Sequence, residues 1–143
     1  MMSALSAWVP TTNFEFWEVV CTGKLGEVCV GSIVSRLLHT LGTPPSPPAR
    51  MKRGMLWYLY GNTSIFVENG EIVQIQADFE GAYPKLIKGP DESLLGQESW
   101  SRALDSFNVQ ASVRHRGDIL SFKTTFAEIE VDKLGELHIL TLR

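Results

Sequence analysis

The 143-residue sequence predicts an α+β fold, an antiparallel sheet with helices packed on one face. Three observations carry that reading. A helical pattern through Leu37, Leu38 and Leu41 stops at Gly42-Thr43-Pro44. Strand formers flank Asn69-Gly70, the turn dipeptide that suits a two-residue hairpin because both positions need positive φ. After residue 96 the same order returns, a helix and then short strands separated by turns. With 44% hydrophobic and 20% charged residues, the composition is that of an ordinary globular chain, read as a single α+β domain over 1–143.

The first helix is expected to open at Thr12, where Thr12-Asn13-Phe14-Glu15 fits a capping box. Phe14, Trp17, Val20 and Cys21 form its apolar face, and Gly23 closes it. The second opens at Ser32, lines one stripe with Ile33, Val34, Leu37, Leu38 and Leu41, and ends at Gly42, with Pro44 blocking continuation. Residues 43–54 hold four prolines and the cations Arg50, Lys52 and Arg53, and read as an exposed loop.

A meander follows: Met55–Tyr60, Ser64–Glu68 and Glu71–Phe79, joined by Gly61-Asn62 and Asn69-Gly70. Glu68 should face Glu71 and Phe66 should face Val73. One sheet face would then carry Phe66, Val73, Ile75, Ala77 and Phe79 and meet the helices. The other would carry Ile65, Val67, Ile72, Gln74, Gln76 and Asp78. A face so mixed is covered either by the chain's own loops or by another protein. Residues 81–96 link the halves. Gln97–Phe107 reads as a helix, since Trp100, Ala103, Leu104 and Phe107 recur at helical spacing. Val109–Arg114, Ile119–Thr124, Glu128–Asp132 and Glu136–Leu142 read as strands.

The two halves, 12–80 and 97–143, resemble each other. Val34, Leu37, Leu38 and Leu41 match Trp100, Ala103, Leu104 and Phe107 at a shift of 66, and Gly70-Glu71-Ile72 matches Gly135-Glu136-Leu137 at a shift of 65. A repeat of this kind would build one sheet from two helix-plus-meander units.

The run Val30-Gly31, Leu37, Leu41-Gly42-Thr43-Pro44, Trp57-Tyr58 and Asn69-Gly70-Glu71-Ile72 resembles the SmpA/OmlA (BamE) motif. The wider group includes the β-lactamase inhibitor protein, which looks like two such units in tandem. The layout is also similar to that of small bacterial immunity-type proteins of polymorphic toxin systems. The resemblance implies a scaffold that binds proteins, and it implies no particular site residues. Signal and lipidation features of BamE-type members are not matched here, so an outer-membrane role is not expected.

Several functions are disfavoured. A net charge of −3 does not suit a nucleic-acid binder. No apolar run is long enough for a transmembrane helix, and Met1–Pro10 lacks the features of a signal peptide, so a cytoplasmic location is expected. Cys21 and Cys29 read as reduced, buried thiols. His39, His115 and His138 show no zinc spacing, no phosphate-binding or nucleophile motif is present, and neither metal nor cofactor is expected. Glu128, Glu130 and Asp132 share one strand face and read as the solvated side of an edge strand.

The resulting expectation is a non-enzymatic protein-binding module, most concretely an immunity protein that neutralises a cognate bacterial toxin. Trp57, Tyr58 and Tyr60 would anchor the partner, and Asp78, Glu80 and Tyr83 would complete the contact. The alternatives are a small enzyme built on His115, Asp118 and Glu128, or a structural subunit that pairs with a partner or with its own copy.

Overall fold

A computed structural model describes residues 12–143, so the reading of Met1–Pro10 lies outside the described residues. The fold is α+β with an antiparallel sheet of eight strands. The first meander supplies β4 (Ala49–Arg50), β5 (Leu56–Tyr60), β6 (Thr63–Glu68) and β7 (Glu71–Asp78). The second supplies β9 (Ser112–Arg116), β10 (Ile119–Lys123), β11 (Ala127–Asp132) and β12 (Leu137–Leu142). Their spatial order is β4-β5-β6-β7-β12-β11-β10-β9, so the last strands of the two meanders lie side by side. Outside this sheet, β1 (Phe14–Glu15) pairs with β8 (Ile87–Lys88), and β2 (Lys24–Leu25) pairs with β3 (Val28–Cys29).

The described residues form three α-helices. Helix α1 is Phe16–Thr22, closed by Gly23 at φ 71°. It starts later than Thr12 because Phe14 and Glu15 extend to pair with Ile87 and Lys88. Its buried face is Phe16, Trp17, Val19 and Val20, and Cys21 is exposed, correcting its assignment to the core. Helix α2 is Val34–Leu41 and ends at Gly42, φ 78°. Ser32 lies before it, and the Cys29 N–H donates to the Ser32 hydroxyl at 3.0 Å. Helix α3 is Gly96–Ser106. The first helical residues of α2 and α3 each donate to the hairpin tip of their own half: Val34 N–H to Gly70 O at 2.9 Å, Gly96 N–H to Leu134 O at 3.0 Å. These bonds satisfy donors that a helix start leaves open.

The core lies between the helices and one sheet face. Ile65, Val67, Ile72, Ile75 and Ala77 from the first meander and Leu120, Phe122, Ile129, Val131, Leu140 and Leu142 from the second are buried there. The helices bury Phe16, Trp17, Leu37, Trp100 and Leu104 against them. The Trp100 ring stacks on Phe122 at 6.2 Å, and its indole N–H donates to Gly135 O at 2.8 Å.

Glu68 pairs with Glu71 as the sequence predicts, but a bulge intervenes one step further on. Val67 pairs with Ile72 while Phe66 pairs with Gln74, leaving Val73 as the extra residue. An extra residue shifts the alternation by one, so the strand changes face there. Ile72 therefore joins Ile75 in the core, while Phe66 and Val73 turn to the opposite face. This reverses the faces read from the sequence for Ile65, Phe66, Val67, Ile72 and Val73.

The second meander carries the same bulge. Val131 pairs with Leu137 and Glu130 with Ile139, leaving His138 as the extra residue, 65 positions after Val73. The junction between the halves obeys that shift too. Ile75 pairs with Leu142 and Ala77 with Leu140, a reciprocal exchange, while Gln76 faces Thr141 at the centre. Residue i meeting j while the counterpart of j meets the counterpart of i is the contact pattern of two-fold symmetry. The helices do not follow the same arithmetic: Leu38 is 39% exposed, whereas Leu104, its counterpart at a shift of 66, is buried.

Candidate functional site: the open face of the sheet

Opposite the helices, the other sheet face has no helix on it among the described residues. Cross-strand register gives its rows. Trp57, Phe66 and Gln74 are neighbours in one. Leu59, Ser64, Gln76, Thr141, Glu128, Lys123 and Ser112 run across all seven strands from β5 to β9 in the next. Asp78, Ile139, Glu130, Ser121 and Arg114 form a third. The face thus has two chemistries. Its first half is aromatic and aliphatic, and its second half is charged.

In the first half, Gly61-Asn62 is a two-residue turn, so Tyr60 pairs with Thr63 and Trp57 with Phe66. That turn sends Trp57 outward, where its ring lies parallel to Phe66 with centroids 6.4 Å apart. Trp57 and Val73 are each 37% exposed. Met51 and Met55 flank the same patch. The turn also sends Tyr58 and Tyr60 inward. Both are buried, and the Tyr60 hydroxyl donates to Gly42 O at 2.8 Å. Burial pushes the Tyr60 phenol pKa upward, with the neighbouring Tyr58 adding to it. These two tyrosines are core residues, and the expectation that they touch a partner is withdrawn.

Asp78 shares the open face, beside Ile139. Glu80 and Tyr83 lie beyond β7. Tyr83 is 54% exposed, and Glu80 holds the His138 ring, with 2.7 Å between Oε1 and Nδ1. On the other side of that ring, Asp132 Oδ2 is 3.2 Å from Nε2. Burial alone would lower the His138 pKa, but the Asp132 hydrogen bond and the charges of Glu80, Asp132 and Glu136 outweigh it and raise it. The Asp132 carboxyl is held below its ordinary range, first by the Glu136 backbone N–H and then by His138. Sequence spacing could not reveal this cluster, because it needs the bulge and two different strands.

In the second half, Glu128, Glu130 and Asp132 share the open face as their alternation predicts. Their strand, β11, is interior rather than an edge, since β10 and β12 flank it. Small Ser121 faces Glu130 across one strand gap and Arg114 across the other. The result is a groove of about 210 Å³ among Arg114, Arg116, Lys123, Glu128, Glu130 and Arg143. Ser121 Oγ donates to Glu128 Oε1 at 3.1 Å, and Arg143 pairs with Glu128 at 3.3 Å.

The alternative acid–base trio is not assembled. His115 pairs with the core residue Leu120 and so belongs to the helix side of β9, whereas Glu128 lies on the open face. Asp118 sits in the β9–β10 turn and pairs with Lys133 at 3.3 Å. A cavity of about 560 Å³ beside Trp100, Phe79 and Leu137 contains Lys85, whose ammonium already donates to Gly81 O at 2.9 Å. Among the described residues no group of three or more His, Cys, Asp or Glu side chains could hold a metal ion. No helix among them is long and apolar enough to cross a membrane.

No family model, curated protein or solved structure matches the chain.

Proposed function

We propose that this chain is a non-enzymatic protein-binding module that docks a partner on the open face of its sheet, most concretely an immunity protein that occludes a cognate toxin. The observation that carries the reading is the Trp57–Phe66 stack, held outward by a two-residue turn on one strand and a bulge beside the other. Paired aromatics on a rigid sheet lose little conformational freedom on binding and bury a large area, which suits them to anchor an interface. Val73, Leu59 and Ile139 extend the apolar surface along the same face. Asp78 borders it and would steer a cationic group of the partner into register.

The test is affinity capture from native cell extract with the wild-type chain and with the W57A/F66A double variant, read by mass spectrometry. The expected result is one stoichiometric toxin-like protein, captured by the wild type and lost by a variant that still folds. Equal capture by both chains would move the interface elsewhere, and capture of nothing would remove the reading.

A further inference from the structure

The charged half of the open face carries an asymmetry that the chain's net charge of −3 hides. Arg114, Arg116 and Lys123 surround the groove over Ser121, and among the described residues none of the three has an ion pair. Of the two carboxylates there, Glu128 is already engaged by Arg143 and by the Ser121 hydroxyl. Only Glu130 remains to answer three cations.

The placement of these cations follows from register. Arg114 and Arg116 are two apart on β9, so they project to the same face. Lys123 faces Ser112, which puts it diagonal to Arg114. Short Ser121 and Ser112 leave room between the long side chains, and Ser121 is buried as the floor. β9 is also an edge strand whose five residues are all exposed. A second copy of the chain laid on that edge would bring arginines against arginines, so charge selects a different occupant. Guanidinium forks bind carboxylates by two parallel hydrogen bonds.

We infer that the groove over Ser121 is a subsite for an acidic segment of the partner, with an aspartate or glutamate carboxylate held by Arg114, Arg116 and Lys123. The inference rests on the protein-binding reading and names the chemistry at one end of the same interface. The partner is thereby bipolar: carboxylate over Ser121, apolar contact over Trp57 and Phe66.

The test needs no partner protein. The full chain is titrated with acetylated, amidated hexaglutamate at low ionic strength, following backbone amide shifts of 112–123 by NMR. Hexaglutamine, inorganic phosphate and an eight-nucleotide thymidine strand are run in parallel. The expected result is saturable shifts with hexaglutamate alone, weakened at least tenfold by R114E/R116E, at least threefold by K123Q, and not by W57A/F66A. Unchanged amide dispersion of each variant shows that it is folded. Silence with hexaglutamate, or equal response to hexaglutamine, overturns the subsite. Tighter binding of phosphate or of the oligonucleotide overturns the assignment to an acidic protein segment. Loss of partner capture with this titration intact would instead fail the docking reading alone.

Discussion

Val73 and His138 hold the same position in the two meanders, each the extra residue of a bulge and 65 positions apart, yet their surroundings are opposite. Val73 is 37% exposed on the apolar half of the open face, whereas His138 lies between the carboxylates of Glu80 and Asp132. The bulge is a feature of the backbone in both halves, and the side chain on it is put to different uses.

His138 makes stability depend on pH, and the sign follows from its raised pKa. A group that holds its proton more tightly when folded stabilises fully below its unfolded pKa, and that share is lost as pH rises through the folded value. The wild type should therefore lose stability relative to His138→Gln as pH climbs past about 6.5, by no more than about 1 kcal/mol for a pair this near the surface. Asp132 has the opposite sign. Its lowered pKa means its share is present above the ordinary carboxylate range and is lost as pH falls through the folded value. Urea unfolding midpoints from pH 2 to 9 for the wild type and His138→Gln check this, and parallel profiles would contradict it.

Asn62 should be among the most sensitive polar positions. It is 4% exposed and accepts from Leu86 N–H at 2.9 Å and Ile87 N–H at 3.3 Å, while its amide donates to Ile87 O at 3.1 Å. Asn62→Ala strands those backbone groups in the interior and should cost about 3 kcal/mol, measured by chemical denaturation. A loss under about 1 kcal/mol would show that water reaches them.

Gly70 and Gly135 are counterparts, but their replacement by alanine should differ. Both have positive φ, 78° and 94°. A Cβ on Gly70 meets nothing within 4 Å, so only the backbone conformation is strained, for about 1–2 kcal/mol. On Gly135 it would strike the backbone of Gly96 and Leu94, where no side chain can swing away. Gly135→Ala should therefore cost at least about 2 kcal/mol more than Gly70→Ala by thermal unfolding.

The aromatic residues of β5 should divide by face. Trp57→Ala removes a half-exposed ring and should cost under about 1.5 kcal/mol of stability, while weakening partner binding by about 2 kcal/mol or more. Tyr58→Ala and Tyr60→Ala empty core sites and should each cost about 3–5 kcal/mol. Calorimetry of the free variants, followed by binding measurements, separates the two effects.

Much of the fold was legible because turn chemistry is local. Asn69-Gly70 adopts φ 52° and 78°, and Gly42 and Gly23 close their helices as read. The α+β class and the strand order within each meander followed from such signals. The faces did not, because one residue of bulge reverses them and Val73 bears no mark of being the extra one. Likewise the start of α1 depends on Ile87, seventy-three positions beyond Phe14, which local capping rules cannot sense. Of the six proposed contact residues, Trp57 and Asp78 reach the open face; Tyr58 and Tyr60 fall on the other face by the strand's alternation, and which of the two faces points outward is set by a turn length that strand formers do not encode.

The reciprocal junction of β7 with β12 has a consequence for what each half can become. Two separate copies joined in this way would share one sequence, so any side chain useful on one side would be forced on the other. With both sides on one chain, that obligation lapses. Phe66 can be aromatic while Glu130, its counterpart by pairing, is acidic, and the joint between them stays intact. Covalent linkage thus lets a symmetric scaffold present an unsymmetric surface, and a partner docked as proposed would meet different chemistry at its two ends.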